Sequence, residues 1–253
     1  MEELTSGAVL FLLAAAFAAG FIDSIAGGGG LISLPALLVA GVPPHLSLGT
    51  NKCMSTCGTA FSLLLYARGK AVKWDIAVKG IPFALLGAYA GSRAALLLNP
   101  ETLAGIIIFV LPFVAVLTFV RGRERGKPVS PGRAAIWARI VPVCFGIGFY
   151  DGFLGPGTGT FLLLGLYFLL KMDLVRASGT TKTFNLASNV GGLTGFLLGG
   201  SVVFALGASM ALANIAGNIF GSRMAMNRGP EIVRKMLPVS LSLLLITLIA
   251  RYF

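Results

Sequence analysis

Long apolar blocks alternate with short polar or glycine-rich breaks along this chain. Apolar residues dominate the stretches 7–21, 94–120, 161–170 and 237–250. A helix needs about 20 predominantly apolar residues to cross a bilayer, and several of these stretches approach or exceed that length. The pattern therefore predicts an all-α, polytopic membrane protein.

The same order of elements occurs twice. Each half is predicted to contain a glycine-broken helix pair followed by three transmembrane helices, which makes eight to ten helices in total, depending on how the short ones are counted. In the first half these elements are an apolar segment at 7–25, a break at 27–30, a short segment at 31–41, and helices near 47–67, 75–97 and 102–120. In the second half they are an apolar segment at 138–153, a break at 155–159, a short segment at 160–170, and helices near 176–198, 203–224 and 232–252.

Matching residues at a nearly constant offset indicate a duplication. The segment 20–29 matches 148–157 at an offset of 128 residues, which becomes 130 after a two-residue insertion. Gly49-Thr50-Asn51-Lys52 then matches Gly179-Thr180-Thr181-Lys182, and the Gly-x-x-x-Gly-Ser-Arg element at 87–93 recurs at 217–223. Such Gly-x-x-x-Gly elements predict close helix packing. We therefore divide the chain into a first repeat at 1–120, a basic cytoplasmic linker at 121–137 and a second repeat at 138–253.

The loop charges predict that the two repeats have opposite orientations. Basic residues fill the loops 68–79 and 121–139, whereas 198–203, the counterpart of 68–73, carries no charge. Lys171 and Arg176 instead lie where the first half has its nearly uncharged loop 41–46. Cytoplasmic loops are rich in Lys and Arg. The pattern therefore predicts inverted-topology repeats with both termini outside.

Composition agrees with the membrane assignment. The chain has 56% hydrophobic and 11% charged residues, against about 25% charged residues in soluble domains. Its net charge of +11 would suggest nucleic-acid binding in a soluble protein. Here the basic residues lie between apolar blocks, as orienting loop charges do, so nucleic acid is not an expected partner.

The two glycine breaks are the predicted substrate site. Inverted repeats bind substrate near the bilayer midplane, at discontinuous helices whose free amides favour an anion. We expect this role for the first break, formed by Gly27, Gly28, Gly29 and Gly30, and for the second, formed by Gly155, Gly157, Thr158 and Gly159. The alternative is that the glycines only make tight turns or close helix contacts.

Each half also places one acid and one lysine within its apolar region. Asp23 and Asp151 each precede a glycine break by four residues, and Lys52 and Lys182 lie near the predicted starts of long helices. Charges in membrane segments are costly, usually paired and by default functional. We expect the lysines to attract an anion, and we consider the aspartates as proton-coupling candidates. The alternative is a structural Asp–Lys pair.

Neutral donors complete the predicted site. Asn51, Thr181 and Asn185 could donate hydrogen bonds to an oxyanion, or could equally form interhelical hydrogen bonds. Neither lysine motif fits the P-loop pattern, so we expect transport to be driven by an ion gradient or by the substrate's own gradient. The single histidine, His45, excludes a conventional multi-histidine metal site. We expect no cofactor and no enzymatic activity.

The doubled motif resembles the sulfite exporter TauE/SafE family, also called the toluene-sulfonate uptake permease group. The resemblance lies in residues 20–29 and 49–52, and in their second-half counterparts 148–159 and 179–182, and it extends over essentially the whole chain. It implies a multi-pass permease of the inner (plasma) membrane that moves small sulfur-containing anions such as sulfite or sulfonates.

The sequence and this resemblance together predict a secondary transporter that works by alternating access. Its expected partners are a small anionic substrate and the lipid bilayer, and a homo-oligomer is compatible with the pattern. The alternatives are a passive anion channel, a transporter of a different small anion, and a membrane-embedded enzyme or sensor.

The inverted arrangement predicts the sidedness of equivalent loops. Single cysteines placed in 68–79 should react with a membrane-impermeant thiol reagent only from the cytoplasmic side, and cysteines in 198–203 only from the outside. The measurement uses a background that lacks Cys53, Cys57 and Cys144. Labelling of both loops from one side would contradict the inverted repeat.

Overall fold

A computed structural model describes residues 5–107, 133–233 and 235–236. These residues form helices and connecting turns, with no β-strand in the described part of the chain. The helices are α1 (Ser6–Ala26), α2 (Gly30–Val39), α3 (Pro44–Arg68), α4 (Trp74–Leu96), α5 (Arg133–Phe153), α6 (Thr158–Leu169), α7 (Leu174–Leu198) and α8 (Phe204–Arg228). Residues 100–107 and 230–233 are also helical. Most of the predicted linker and of the helices at 102–120 and 232–252 lies outside the described residues.

The observed helices follow the predicted order, but α3 and α7 begin earlier than predicted. Pro44 is the first residue of α3, where its fixed φ favours the helix and its missing N–H costs nothing. At α7 the Asp173 side chain accepts a hydrogen bond from the backbone N–H of Arg176 at 2.9 Å and caps the helix. Lys52 and Lys182 therefore lie about two turns inside their helices, not near the starts as predicted.

Three further helix starts differ from the prediction. Gly30 is the first residue of α2, and Thr158 and Gly159 belong to α6, so the breaks are shorter than the predicted 27–30 and 155–159. The described part of α5 begins at Arg133, so residues 133–137 of the predicted linker are helical.

Helices from the two sequence halves pack against each other in equivalent pairs. The contact of α1 with α8 has its counterpart in the contact of α5 with α4. The contact of α3 with α8 has its counterpart in the contact of α7 with α4. Each relationship thus occurs twice with the halves exchanged. The central helices α3 and α7 also contact each other. The halves are therefore interlocked by helix packing.

The glycine seams explain how closely these helices approach. A Cβ atom on Gly87 or Gly91 of α4 would overlap the carbonyl oxygens of Phe145 and Phe149 in α5. Gly217 and Gly221 of α8 face the backbone of α1 in the equivalent way, at Phe17 and Phe21. The predicted packing role of both Gly-x-x-x-Gly-Ser-Arg elements is thereby confirmed.

Two described helices, α1 and α8, are long and apolar enough to cross a bilayer, with mean hydropathies of 2.2 and 1.3. The polar residues of α3 and α7 are instead turned inward: Thr50 and Lys52 are buried on α3, as are Lys182 and Asn185 on α7. Large apolar side chains such as Phe11, Val78 and Leu212 are exposed on the outer surface. This inside-out polarity is typical of a helical membrane protein.

Candidate functional site

A small polar cavity lies where the two glycine breaks meet. Its volume is about 20 Å³, which accommodates about one water molecule. Twelve of the fifteen residues predicted for the site line it: Asp23, Gly28, Gly29, Gly30, Asn51, Lys52, Asp151, Gly155, Gly157, Thr158, Gly159 and Asn185. Gly27, Thr181 and Lys182 are not among the lining residues. The structure thus brings both breaks, both acids and one lysine to a single small cavity.

The two breaks touch each other directly. Gly27 has φ +78°, which favours glycine, and a Cβ on it would overlap the backbone of Gly159 and Thr160. A Cβ on Gly30 would lie 3.3 Å from Cα of Pro156. At Gly27 the glycine therefore serves a close backbone contact, which is the alternative that the sequence left open, whereas Gly28, Gly29 and Gly30 border the cavity.

Each break also exposes helix N-terminal amides. The amides of Gly29 and Gly30 at the start of α2, and of Gly159 at the start of α6, donate no hydrogen bond within the described residues. Such amides at a helix N-terminus favour a negative charge. Both helix starts therefore bring donors to the same cavity.

Two buried ion pairs connect the breaks to the central helices. Nζ of Lys52 lies 2.7 Å from Oδ1 of Asp151, and Nζ of Lys182 lies 2.8 Å from Oδ2 of Asp23. Lys182 also donates to the backbone carbonyl of Asp23. The lysine of each half thus pairs with the aspartate of the other half. The reciprocal arrangement links α3 to the end of α5, and α7 to the end of α1.

The pairs leave the site without net charge. Both lysine side chains are at most 2% exposed, and an isolated charge so deeply buried would be strongly destabilising. Neither ammonium group is therefore a free cation awaiting an anion. An anion that approaches either lysine must compete with a carboxylate.

The two aspartates differ in how fully they are engaged. Both oxygens of Asp151 have partners, because Oδ1 pairs with Lys52 and Oδ2 accepts a hydrogen bond from Ser188 at 2.5 Å. Oδ1 of Asp23 accepts no hydrogen bond within the described residues, and the Asp23 side chain is 15% exposed, against 3% for Asp151. Asp23 is thus the more available carboxylate.

Two asparagine amides supply neutral donors. Ser33 donates to Oδ1 of Asn51 at 2.6 Å, and Asn189 donates to Oδ1 of Asn185 at 3.3 Å. Since Oδ1 of each asparagine accepts a hydrogen bond, its Nδ2 group is the donor. The Nδ2 groups of Asn51 and Asn185 have no acceptor in the described part of the chain. Both residues line the cavity. Thr181, the counterpart of Asn51, is buried away from it, and its Oγ1 has no partner among the described residues.

Sequence reasoning missed several lining residues. Ser55 and Thr59 line the cavity and follow Asn51 at four-residue intervals, so they share its helix face. Their counterparts 130 residues later are Asn185 and Asn189, so the repeat itself was the signal that could have found them. Asn214 also lines the cavity, but its counterpart is Ala84, and no pattern in the sequence marks it.

The Gly-Thr-x-Lys motifs hold the lysines in position through contacts with the opposite half. Thr50 Oγ1 accepts a hydrogen bond from the backbone N–H of Val203, and Thr180 Oγ1 accepts one from Lys73, both at 3.0 Å. Beside them, a Cβ on Gly49 or Gly179 would overlap a backbone carbonyl oxygen of the opposite half's loop. The motif is therefore a docking element that sets the distance between the halves.

Comparison with known proteins gives a consistent family. Residues 12–248 match the sequence model of the sulfite exporter TauE/SafE family. A probable membrane transporter protein, ORF9, of Sinorhizobium sp is 38% identical, with 99% of this chain and 95% of that protein covered. A probable membrane transporter protein of Haemophilus influenzae is 36% identical, with 92% and 90% covered.

A further relative, the probable membrane transporter protein YfcA of Escherichia coli K12, is 35% identical, with 91% of this chain and 85% of that protein covered. No solved structure matches the chain. The chain belongs to the sulfite exporter TauE/SafE family, whose relatives here are named as membrane transporters and not as enzymes.

The reciprocal ion pairs predict a coupled effect on stability. Lys52→Met should lower the free energy of unfolding by about 3–5 kcal/mol, because it strands the Asp151 carboxylate. Adding Asp151→Asn should restore much of this loss, since the uncompensated charge is removed. Thermal unfolding of the purified protein in detergent measures both effects.

Lys70→Met at an exposed lysine is the matched control and should leave stability nearly unchanged. A double variant no more stable than Lys52→Met would mean that the pair does not act as a unit.

Proposed function

We propose that this member of the TauE/SafE family is a secondary transporter for small sulfur-containing anions, such as sulfite or organosulfonates. It works by alternating access around the cavity at the glycine breaks and couples transport to a proton gradient. The observation that carries the proposal is the convergence of helix N-terminal amides, two asparagine donors, Lys52 and the aspartates of both ion pairs on one polar cavity.

The cavity offers the chemistry that a sulfonate or sulfite oxyanion requires. Amides of Gly29, Gly30 and Gly159 supply donors at positive helix ends, and the Nδ2 groups of Asn51 and Asn185 add donors without charge. A lysine freed from its aspartate would supply the positive charge. An oxyanion would thus be bound by several donors around one ammonium group.

The proposed coupling of proton and anion movement follows from the balance of charges in the site. The lysine–aspartate tetrad is neutral, so a monoanion entering alone would leave one uncompensated negative charge in a poorly hydrated space. If Lys182 leaves Asp23 to pair with the anion, and the Asp23 carboxylate takes up one proton, the site remains neutral. One proton then accompanies each monoanion. Asp23 is the better proton acceptor of the two, because Asp151 already accepts from both Lys52 and Ser188.

The architecture that we propose for this cycle is a pair of inverted repeats in the inner membrane, with the chain crossing many times. The two largest kinds of contact between the halves each occur twice with the halves exchanged, which supports a two-fold relation, and the reversed loop charges support opposite orientations. We assign the first repeat to residues 1–120, the cytoplasmic linker to 121–137 and the second repeat to 138–253.

The size of the cavity favours a carrier over a passive channel. A volume of about 20 Å³ accommodates about one water molecule, so the halves must rearrange for a sulfonate to bind. The Thr50 and Thr180 contacts lie where such a rearrangement would separate the halves. A binding screen of sulfite, sulfonates, sulfate and thiosulfate would identify the cargo.

The coupling proposal predicts different effects at the two aspartates. In proteoliposomes, Asp23→Asn should abolish the acceleration of sulfite flux by a pH gradient while leaving flux down the sulfite gradient. Ser188→Ala, which removes only a partner of Asp151, should retain the coupling. Asp75→Asn, at an exposed position of α4, is the control for a general loss of charge.

Coupled flux in Asp23→Asn equal to that of the unmodified protein would remove Asp23 from the proton path. Flux in the unmodified protein that ignores the pH gradient would favour a passive anion channel. No net flux at all would contradict a transporter.

A further inference from the structure

An apolar groove lies between α5 and α6, outside the transport cavity. Ile140 and Val143 of α5 form one wall, Leu162 and Leu166 of α6 form the other, and Phe184 of α7 also lines the groove. A Cβ on Gly165 would meet only a methyl carbon of Val143, at 3.6 Å, which is an ordinary van der Waals contact. The groove therefore presents an apolar surface with no polar side chain along its walls.

One cation borders this groove, and a second lies close to it in the chain. Arg139 borders it, and its Nη1 donates to the carbonyl oxygen of Leu169 at 3.0 Å. Lys171 follows two residues later in the chain. Neither cation forms an ion pair with an acid in the part of the chain described, and the nearby Asp173 pairs with Arg176 at 3.6 Å. The groove is thus bordered by Arg139, which has no acidic partner among the described residues, and Lys171 is a second such cation nearby in the chain.

The repeat shows that these cations are not required by the fold. At the offsets that relate the two halves, Arg139 corresponds to Phe11 and Lys171 corresponds to Gly41. The equivalent place between α1 and α2 therefore carries no charge at these positions.

We propose that this groove binds one anionic phospholipid, with its phosphate between Arg139 and Lys171 and an acyl chain along the groove. Basic pockets between transmembrane helices bind anionic headgroups in this way. In the orientation that the loop charges predict, Arg139 and Lys171 face the leaflet with the negative surface potential. The proposal rests on the membrane location of the protein and is independent of the transported anion.

The test measures binding of phosphatidylglycerol to the purified, detergent-solubilised protein by native mass spectrometry. Phosphatidylcholine and glycerol phosphate serve as competing probes. The unmodified protein should retain one phosphatidylglycerol, and the Arg139→Gln, Lys171→Gln double variant should bind it at least about tenfold more weakly. The matched control is Arg93→Gln with Arg223→Gln, which removes two exposed charges at other helix ends and should not change binding.

A second variant tests the acyl-chain contact without changing any charge. Gly165→Leu fills the groove and should also weaken retention, while the monodisperse elution profile of the protein remains unchanged. Three results would overturn the proposal: unchanged retention in the charge variant, equal retention of phosphatidylcholine, or displacement by glycerol phosphate as effective as by the whole lipid. The last result would indicate a free-phosphate site and not a lipid site.

Discussion

A charge buried at membrane depth must be neutralised, and this constraint organises the structure. Each half carries one lysine and one aspartate within its buried region, and each lysine pairs with the aspartate of the other half. An ion pair holds the two helices that carry its side chains close together. The two reciprocal pairs therefore hold the halves together at their centre. The crossing of the glycine breaks and the docking of the Gly-Thr-x-Lys motifs follow from this closeness.

The near-symmetric scaffold carries chemistry that is not symmetric. Asp151 is engaged by both Lys52 and Ser188, whereas Asp23 keeps one oxygen without a donor in the part of the chain described. Asn51 lines the cavity, but its counterpart Thr181 does not. Duplication supplies the paired breaks and the pairs of charges. In the proposed cycle, the differences between the copies would let one copy move a proton while the other maintains the structure. We regard this division of roles as the basis of the proposed coupling.

Much of this arrangement could be predicted from the sequence because hydropathy and the repeat offset act over long segments. The helix order, both breaks and twelve of the fifteen predicted site residues follow from those two signals. The exchange of partners between the halves could not be predicted, because the spacing of Asp23 and Lys52 within one half is equally compatible with pairing inside that half. Local signals at the helix ends, which hydropathy does not reveal, start α3 at Pro44 and α7 at Leu174. Both helices therefore begin earlier than predicted, and both lysines lie further inside them.

The central claim is that an anion takes the place of a carboxylate that becomes protonated. Infrared difference spectroscopy on the purified protein, recorded with and without sulfite, measures this directly through the carbonyl stretch of a protonated carboxylic acid. The account predicts that sulfite produces this band in the unmodified protein and in Asp151→Asn, and that the band disappears in Asp23→Asn. Sulfite binding without any new carboxylic-acid band, or with the same band in Asp23→Asn, would contradict it.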